Sequence, residues 1–415
     1  MKNLIKGLAG AAALAFAAGS VQAQEAKEPI KFGLFLDFTA VYTFVSDEYN
    51  QGQRDYLTLI NEEGGVDGHK VEAIVRDTGN QPQRGIEAYN RAKREGAVLF
   101  DFLSTPVSRA IVKRALQDEV VLLTPFHGRG DASDGETFPY VFPAFATYWS
   151  QAAILAKYIE DHADGLKGKK IAHVYIDSPF GREPLPILED LAAEKDFELR
   201  SFPYPSPGNE QSAVWTDVRR FRPDFVFIWG AGGGQAVSAR EAIRNGISPE
   251  KLLSVVWFAE TDARSVGANR VKGLKRFEGV APGTDHSVIQ RIQDKVIDAG
   301  KGAGEAENVG SSYYNVGVAT MALSVEGARL ALEEFGAPLT GDKLRKGLEM
   351  VENFDADGLM APITLTPEDH QGGGFGRVSQ WDGEKWVPQT DWYNAYQDLV
   401  WHEIEQGAED FREGQ

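Results

Sequence analysis

Short, nearly unbroken apolar runs alternate with helical stretches from residue 30 onward, and this rhythm restricts the fold more than any other feature of the chain. Ile30 to Leu36 reads IKFGLFL, and 71–77, 97–102 and 120–125 read VEAIVRD, AVLFDF and VVLLTP. Between them lie 47–63, with Tyr49, Tyr56, Leu57 and Ile60 at helical spacing, then 82–95 and 107–117. Gly64-Gly65 stops the first helix, because glycine tolerates the left-handed cap conformation. Strands this apolar are covered on both faces, and strands separated by helices form βαβ units around a parallel sheet.

The alternation then restarts. A helix is predicted over 148–162, a strand over 170–177 and a helix over 183–194. Further strands follow at 197–204, 225–231 and 252–258, with helices near 212–221 and 235–245. Beyond 280 the pattern turns mostly helical (286–299, 309–335, 340–352), with a short strand at 363–365, a hairpin fragment at 381–387 and a helix at 393–406. A chain of 415 residues has room for two domains. Two similar α/β units without a flexible spacer imply lobes connected by several crossings.

The N-terminus carries a different signal. Lys2 and Lys6 precede an Ala-rich apolar run from Leu8 to Ala18, and Val21-Gln22-Ala23 supplies small residues at −3 and −1. That pattern is a secretory signal peptide cleaved after Ala23, and the run is too short to span a bilayer. There is no cysteine, so a lipid anchor on cysteine, disulfides, thiol catalysis and Cys-ligated metal are all excluded. The expectation is a soluble protein released into the periplasm. A formal charge of −18 argues against nucleic acid and anionic membrane surfaces as partners, since both attract basic patches.

Enzymatic readings find little support. GAGGGQ (230–235) follows a strand, but the third glycine of a dinucleotide fingerprint would fall on Gln235. GGGFG (372–376) precedes no helix, and no phosphate loop, nucleophile elbow or zinc-protease motif occurs. The seven histidines are scattered, so no metal site is expected, nor any cofactor.

INEEGGVDGHKVEAIVRDTGNQPQRGIEAYNRA (60–92) resembles the first lobe of the Leu/Ile/Val-binding proteins and their relatives, the hydrophobic amino acid and amide receptors of ABC importers. VLLTP (121–125), IDSPFGRE (176–183) and FVFIWGAGGG (225–234) match further family segments in order. The resemblance implies the type I periplasmic-binding fold: two Rossmann-like α/β lobes joined by a three-crossing hinge. Lobe 1 would hold 29–146 and 283–361, lobe 2 147–282 and 362–400, with 401–415 a C-terminal tail. Ligand would enter the cleft beyond the carboxyl ends of the strands.

The resemblance also nominates residues. Ser104 and Thr105, at a helix start, would take a ligand carboxylate, a plain N-cap being the alternative. Phe126, His127 and Gly128 stand where relatives have small residues and a Thr. There Phe126 would wall the pocket, His127 would donate to a ligand oxygen and Arg129 would be a weaker candidate. Phe180 would close over the ligand. Glu260, with Asp262 as the neighbouring option, would pair a ligand ammonium or merely sit at a helix N-terminus. Gly232 replaces a bulky Tyr of the amino-acid receptors and would open space. Phe38, Tyr42 and Phe44 would line the cleft mouth, and Tyr313 and Tyr314 its wall. The implied role is non-enzymatic capture of an amino acid, amide or related small carboxylate, aromatic ones included, for delivery by a monomer to a membrane ABC permease. The alternatives are a ligand-sensing subunit for a membrane sensor, or a periplasmic enzyme using the same cleft.

Overall fold

The computed structural model describes residues 27–414, so the signal-peptide segment lies outside the described residues. The first half of the chain builds a five-stranded parallel sheet in the order β2-β1-β3-β4-β5. Its strands are β1 (Ile30–Leu36), β2 (Val71–Asp77), β3 (Ala97–Asp101), β4 (Val121–Leu123) and β5 (Val141–Phe142). Helices α1 (Thr43–Glu62), α2 (Pro82–Arg94) and α3 (Thr105–Asp118) connect the first four. Six of the seven residues of β1 are buried, as expected of a strand covered on both faces.

A seven-stranded sheet follows, ordered β12-β11-β10-β9-β8-β6-β7. It comprises β6 (Lys170–Ile176), β7 (Glu198–Tyr204), β8 (Phe225–Trp229), β9 (Leu252–Ser254), β10 (Lys275–Glu278), β11 (Arg377–Trp381) and β12 (Trp386–Pro388). Five strands run parallel, and β11 and β12 add an antiparallel edge. Its helices are α4 (Tyr148–His162), α5 (Pro179–Arg182), α6 (Leu185–Lys195), α7 (Ser212–Phe221), α8 (Gly233–Arg244) and α9 (Glu260–Val266). The remaining helices are α10 (Ser287–Ile292), α11 (Ser312–Phe335), α12 (Gly341–Leu348) and α13 (Gln397–Glu413). The chain thus passes between the sheets three times: before α4, between β10 and α11, and between α12 and β11. No helix among the described residues is long and apolar enough to cross a membrane.

The details depart from the sequence expectations in a few places. Strand β9 stops at Ser254, and Trp257 beyond it lines the space between the lobes. Strand β10 (KRFE) carries three charges in four residues and has no apolar signature, so nothing in the sequence marked it. The strand expected at 363–365 is reduced to a single bridge between Phe354 and Ile363.

The stretch expected as a tail is the body of α13. Its Val400, Ile404 and Ala408 are buried. Phe411 packs on Phe138 at 4.5 Å, and the Arg129 guanidinium lies 4.8 Å over the Phe411 ring. On the other side α13 rests on α4 and α6, and Tyr396 just ahead of it donates to Glu160 at 3.0 Å. It therefore touches parts of both halves.

Helix α11 returns to the first sheet and is apolar around most of its circumference, as a helix enclosed by neighbours must be. It approaches α1 to backbone contact. A Cβ on Gly52 would stand 2.1 Å from the Tyr314 carbonyl oxygen, and one on Gly317 would stand 2.1 Å from that of Tyr49. Two hydroxyls cross-link the same junction: Tyr49 reaches Thr320 at 3.3 Å while donating to Asp101 of β3 at 2.5 Å, and Tyr314 donates to Asp55 at 2.9 Å. Gly317→Ala should therefore force the helices apart and cost about 1–3 kcal/mol, the range for overpacking a filled interior. The check is the urea midpoint, with Gly233→Ala as the control because nothing lies within 4 Å of its added methyl. Equal midpoints for the two variants would refute the close crossing.

Candidate functional site

The carboxyl ends of strands from both sheets face one another, and the loops leaving them line a narrow chamber. The first sheet contributes Tyr42, Phe44 and Val45 after β1, Leu103, Ser104 and Thr105 after β3, and His127 after β4. The second half contributes Tyr148 at the start of α4, Phe180 after β6, Ala231 after β8 and Trp257 after β9. Chemistry converges here because every loop at the carboxyl end of a parallel sheet opens on the same side.

Each wall residue is held by local structure. The Asp37 carboxylate accepts the backbone N–H groups of Thr39 (3.2 Å), Ala40 (2.7 Å) and Tyr42 (2.8 Å), which fixes the loop carrying Tyr42. Asp101 ends β3 and accepts the N–H of Leu103 at 3.0 Å, bending a residue with φ of +38° into the wall. Ser104 caps α3 by accepting from Val107 at 3.3 Å and donates to Asn80 at 2.7 Å. The Thr105 hydroxyl accepts the N–H of Gly128 at 3.3 Å, tying the His127 loop to the helix start. Trp257 donates its indole N–H to the Tyr148 hydroxyl at 2.6 Å. Phe180 packs against Tyr148 (5.1 Å) and Tyr42 (6.5 Å), so aromatic rings from both sides meet.

His127 stands apart from these satisfied groups. It is 3% exposed, and neither ring nitrogen has a hydrogen-bond partner. Its Nε2 lies 3.9 Å from Asp101, whose other carboxylate oxygen already accepts from Tyr49 and from Gln53 (2.8 Å).

The residues nominated from sequence divide. Tyr42, Ser104, Thr105, His127 and Phe180 come together in the chamber, as does Phe44. Phe126 turns into the hinge, where it packs on Phe145 (5.1 Å) and Phe277 (6.2 Å). Gly128 supports the loop through its N–H. Gly232 opens no space: a Cβ there would meet the Val41 carbonyl at 2.6 Å and the Phe44 ring at 3.3 Å. Phe44 therefore presses where a larger side chain would sit. Tyr314 faces Asp55 inside the first lobe. Tyr313 backs the wall, 5.7 Å from Phe44, and donates to the Trp257 carbonyl at 2.8 Å and to Asp262 at 3.2 Å. Arg129 is engaged by Asp131 at 2.8 Å.

The two acids nominated for an ammonium do not line the chamber. Glu260 accepts from the Ser312 hydroxyl at 2.7 Å and borders a separate, open depression. That depression is acidic, with Glu48, Asp285, Glu307 and Glu384 on its walls. Asp262 is buried and accepts the Ala259 N–H (2.9 Å) and the Gln235 amide (3.0 Å) besides Tyr313. Among the described residues no group of acids and histidines could hold a metal ion. Sequence reasoning missed Asp101, Tyr148 and Trp257. A lone acid ending the apolar run AVLFD was the legible signal for the first.

Contacts across the chamber's rim hold the two halves together. Arg109 on α3 pairs with Glu183 at 2.5 Å, and the Gly130 N–H donates to the same carboxylate at 2.8 Å. Burial still raises the Glu183 pKa, against the pull of Arg109.

Burial lifts Asp262 from the ordinary aspartate value to about 7. Between roughly pH 4 and 7 the folded state then binds this proton while the unfolded chain releases it, so this residue's contribution to stability falls as pH rises through that window. Comparing Asp262→Asn with the parent by thermal melting should show a stability difference that moves in the variant's favour from pH 4.5 to 7.5. A difference independent of pH would disprove the shift.

A family model described as periplasmic binding protein matches residues 29–385. A crystal structure from the Pseudomonas fluorescens group, described as an ABC transporter permease, is 35% identical with a TM-score of 0.86, covering 93% of this chain and 97% of that one. A branched-chain amino acid ABC transporter structure from Thermus thermophilus with bound valine aligns at a TM-score of 0.78 and 18% identity, over 90% of this chain and 98% of that one. The Leu/Ile/Val-binding protein homolog 1 of Brucella abortus (strain 2308) is 24% identical over 310 residues, 71% of this chain and 78% of its own length.

Proposed function

The chain belongs to the periplasmic binding protein family, and from that premise we propose that it is the solute-capturing component of an ABC importer, working in the periplasm as a monomer and handing its ligand to membrane permease subunits. The observation that carries this reading is the chamber walled from both lobes, with a three-strand hinge beside it. A ligand lodged there touches both halves at once, so its binding energy favours the arrangement in which the halves meet. The Arg109–Glu183 pair and the close approach of Phe44 to Gly232 join the halves in that arrangement. A permease could then distinguish the loaded form by its joined surface.

The lining supports a small organic solute with an apolar body and one polar end, of the class of amino acids, amides and related small carboxylates. Ser104 and Thr105 at the start of α3 offer the polar end a helix N-terminus. Phe180 and Tyr42 offer it aromatic area. Bound valine in the Thermus thermophilus protein agrees with this class.

Native mass spectrometry of the protein taken from the periplasm should release one intact small solute on denaturation. Phe180→Ala should weaken that solute's affinity by about tenfold or more, the loss expected from removing a buried aromatic surface. Release of a chemically converted product would instead identify an enzyme.

A further inference from the structure

We propose that the chamber selects carboxylic acids that carry no ammonium group, with His127 reading the carboxylate. This deepens the capture reading above and rests on it. The first support is the pair of unpartnered ring nitrogens on His127, a buried side chain that lines the chamber. A buried polar atom without a partner is costly, and native proteins keep one where something else completes it. Asp101 does not complete it, since 3.9 Å is too long for a hydrogen bond and three donors already occupy that carboxylate. An imidazole N–H free of the protein is suited to an acceptor on the ligand.

The second support is the start of α3, a 14-residue helix whose N-terminal end adjoins the same loop through the Thr105 to Gly128 hydrogen bond. Helix N-termini favour anions, and here one sits beside the unpartnered imidazole. The two features converge on one end of the ligand and give it a negative charge.

The third support is what the other walls lack. An amino acid needs a carboxylate or several oriented oxygens around its ammonium, and an unpaired buried ammonium is strongly disfavoured. No carboxylate lines the chamber. Glu260 is turned to Ser312 and the outer depression, Asp262 is enclosed by three donors, and Glu183 is taken by Arg109 and Gly130. The Tyr148 hydroxyl oxygen already accepts the indole N–H of Trp257. Much of the remaining lining is apolar: Phe44, Val45, Leu103, Phe180 and Ala231. The ligand these surfaces fit is a monocarboxylate with an aryl or branched alkyl body.

Matched pairs test this directly. Calorimetric titration of the full chain with 3-phenylpropanoate against phenylalanine, and 4-methylpentanoate against leucine, compares solutes that differ only in the ammonium. In at least one pair the ammonium-free acid should bind about tenfold tighter or more. His127→Ala should lose at least about tenfold of that affinity, and His127→Gln provides the measurement if the alanine variant fails to fold. Tighter or equal binding of the amino acids in both pairs, or unchanged affinity in the His127 variants, would overturn the inference. Recovery of an amine-bearing solute from the native protein overturns it while leaving capture intact. Silence of all four solutes together with no recovered solute overturns the capture reading as well.

Discussion

The backbone contact between α1 and α11 is the constraint on which the site depends. Two helices separated by more than 250 residues meet where Gly52 and Gly317 leave no room for a side chain. At that crossing the Tyr49 hydroxyl of α1 meets both Thr320 of α11 and Asp101 at the end of β3. Asp101 in turn shapes the Leu103 turn and stands beside His127. The same helix pair carries Phe44 and Tyr313, whose rings meet at 5.7 Å, so that part of the aromatic wall is set by the same crossing. A displacement of the helices by the width of a methyl group would be transmitted to both the polar and the apolar side of the chamber, because packed interiors do not absorb such shifts locally.

The chamber separates its tasks physically. Its polar end is built from backbone geometry and one unpartnered imidazole, and its body from rings contributed by both halves. Carboxylates close to it are satisfied by neutral donors, as at Asp101, or paired with a cation, as at Glu183. The outer depression gathers further acids instead. Negative charge is thereby kept off the inner surface of a strongly acidic chain.

The fold was legible because its signal is local. Seven-residue runs such as IKFGLFL have one stable use, and their alternation with helices dictates a parallel sheet. Strand β10 escaped because it is made of Lys275, Arg276, Phe277 and Glu278, with Glu278 met by Arg276 in the same strand and by the distant Arg377 at 2.6 Å. The site was legible only in part. Ser104, Thr105, His127 and Phe180 occupy loop positions that follow strands, and such positions must face the cleft. Phe126 and Gly232 follow strands as well, yet Phe126 is drawn into the hinge by Phe145 and Phe277, and Gly232 is covered by Phe44. Those outcomes rest on side-chain packing between the halves, which no local pattern encodes.

The triple passage between the sheets has a consequence for how the chain is made. The first sheet is complete at residue 142, but α11 reaches it only at 312–335, and the second sheet waits for β11 at 377–381. Neither core can close on a nascent chain until most of it has been synthesised, and such long-range contacts form slowly. Both lobes therefore depend on segments made late, and a chain halted short of α11 or β11 leaves each core unfinished.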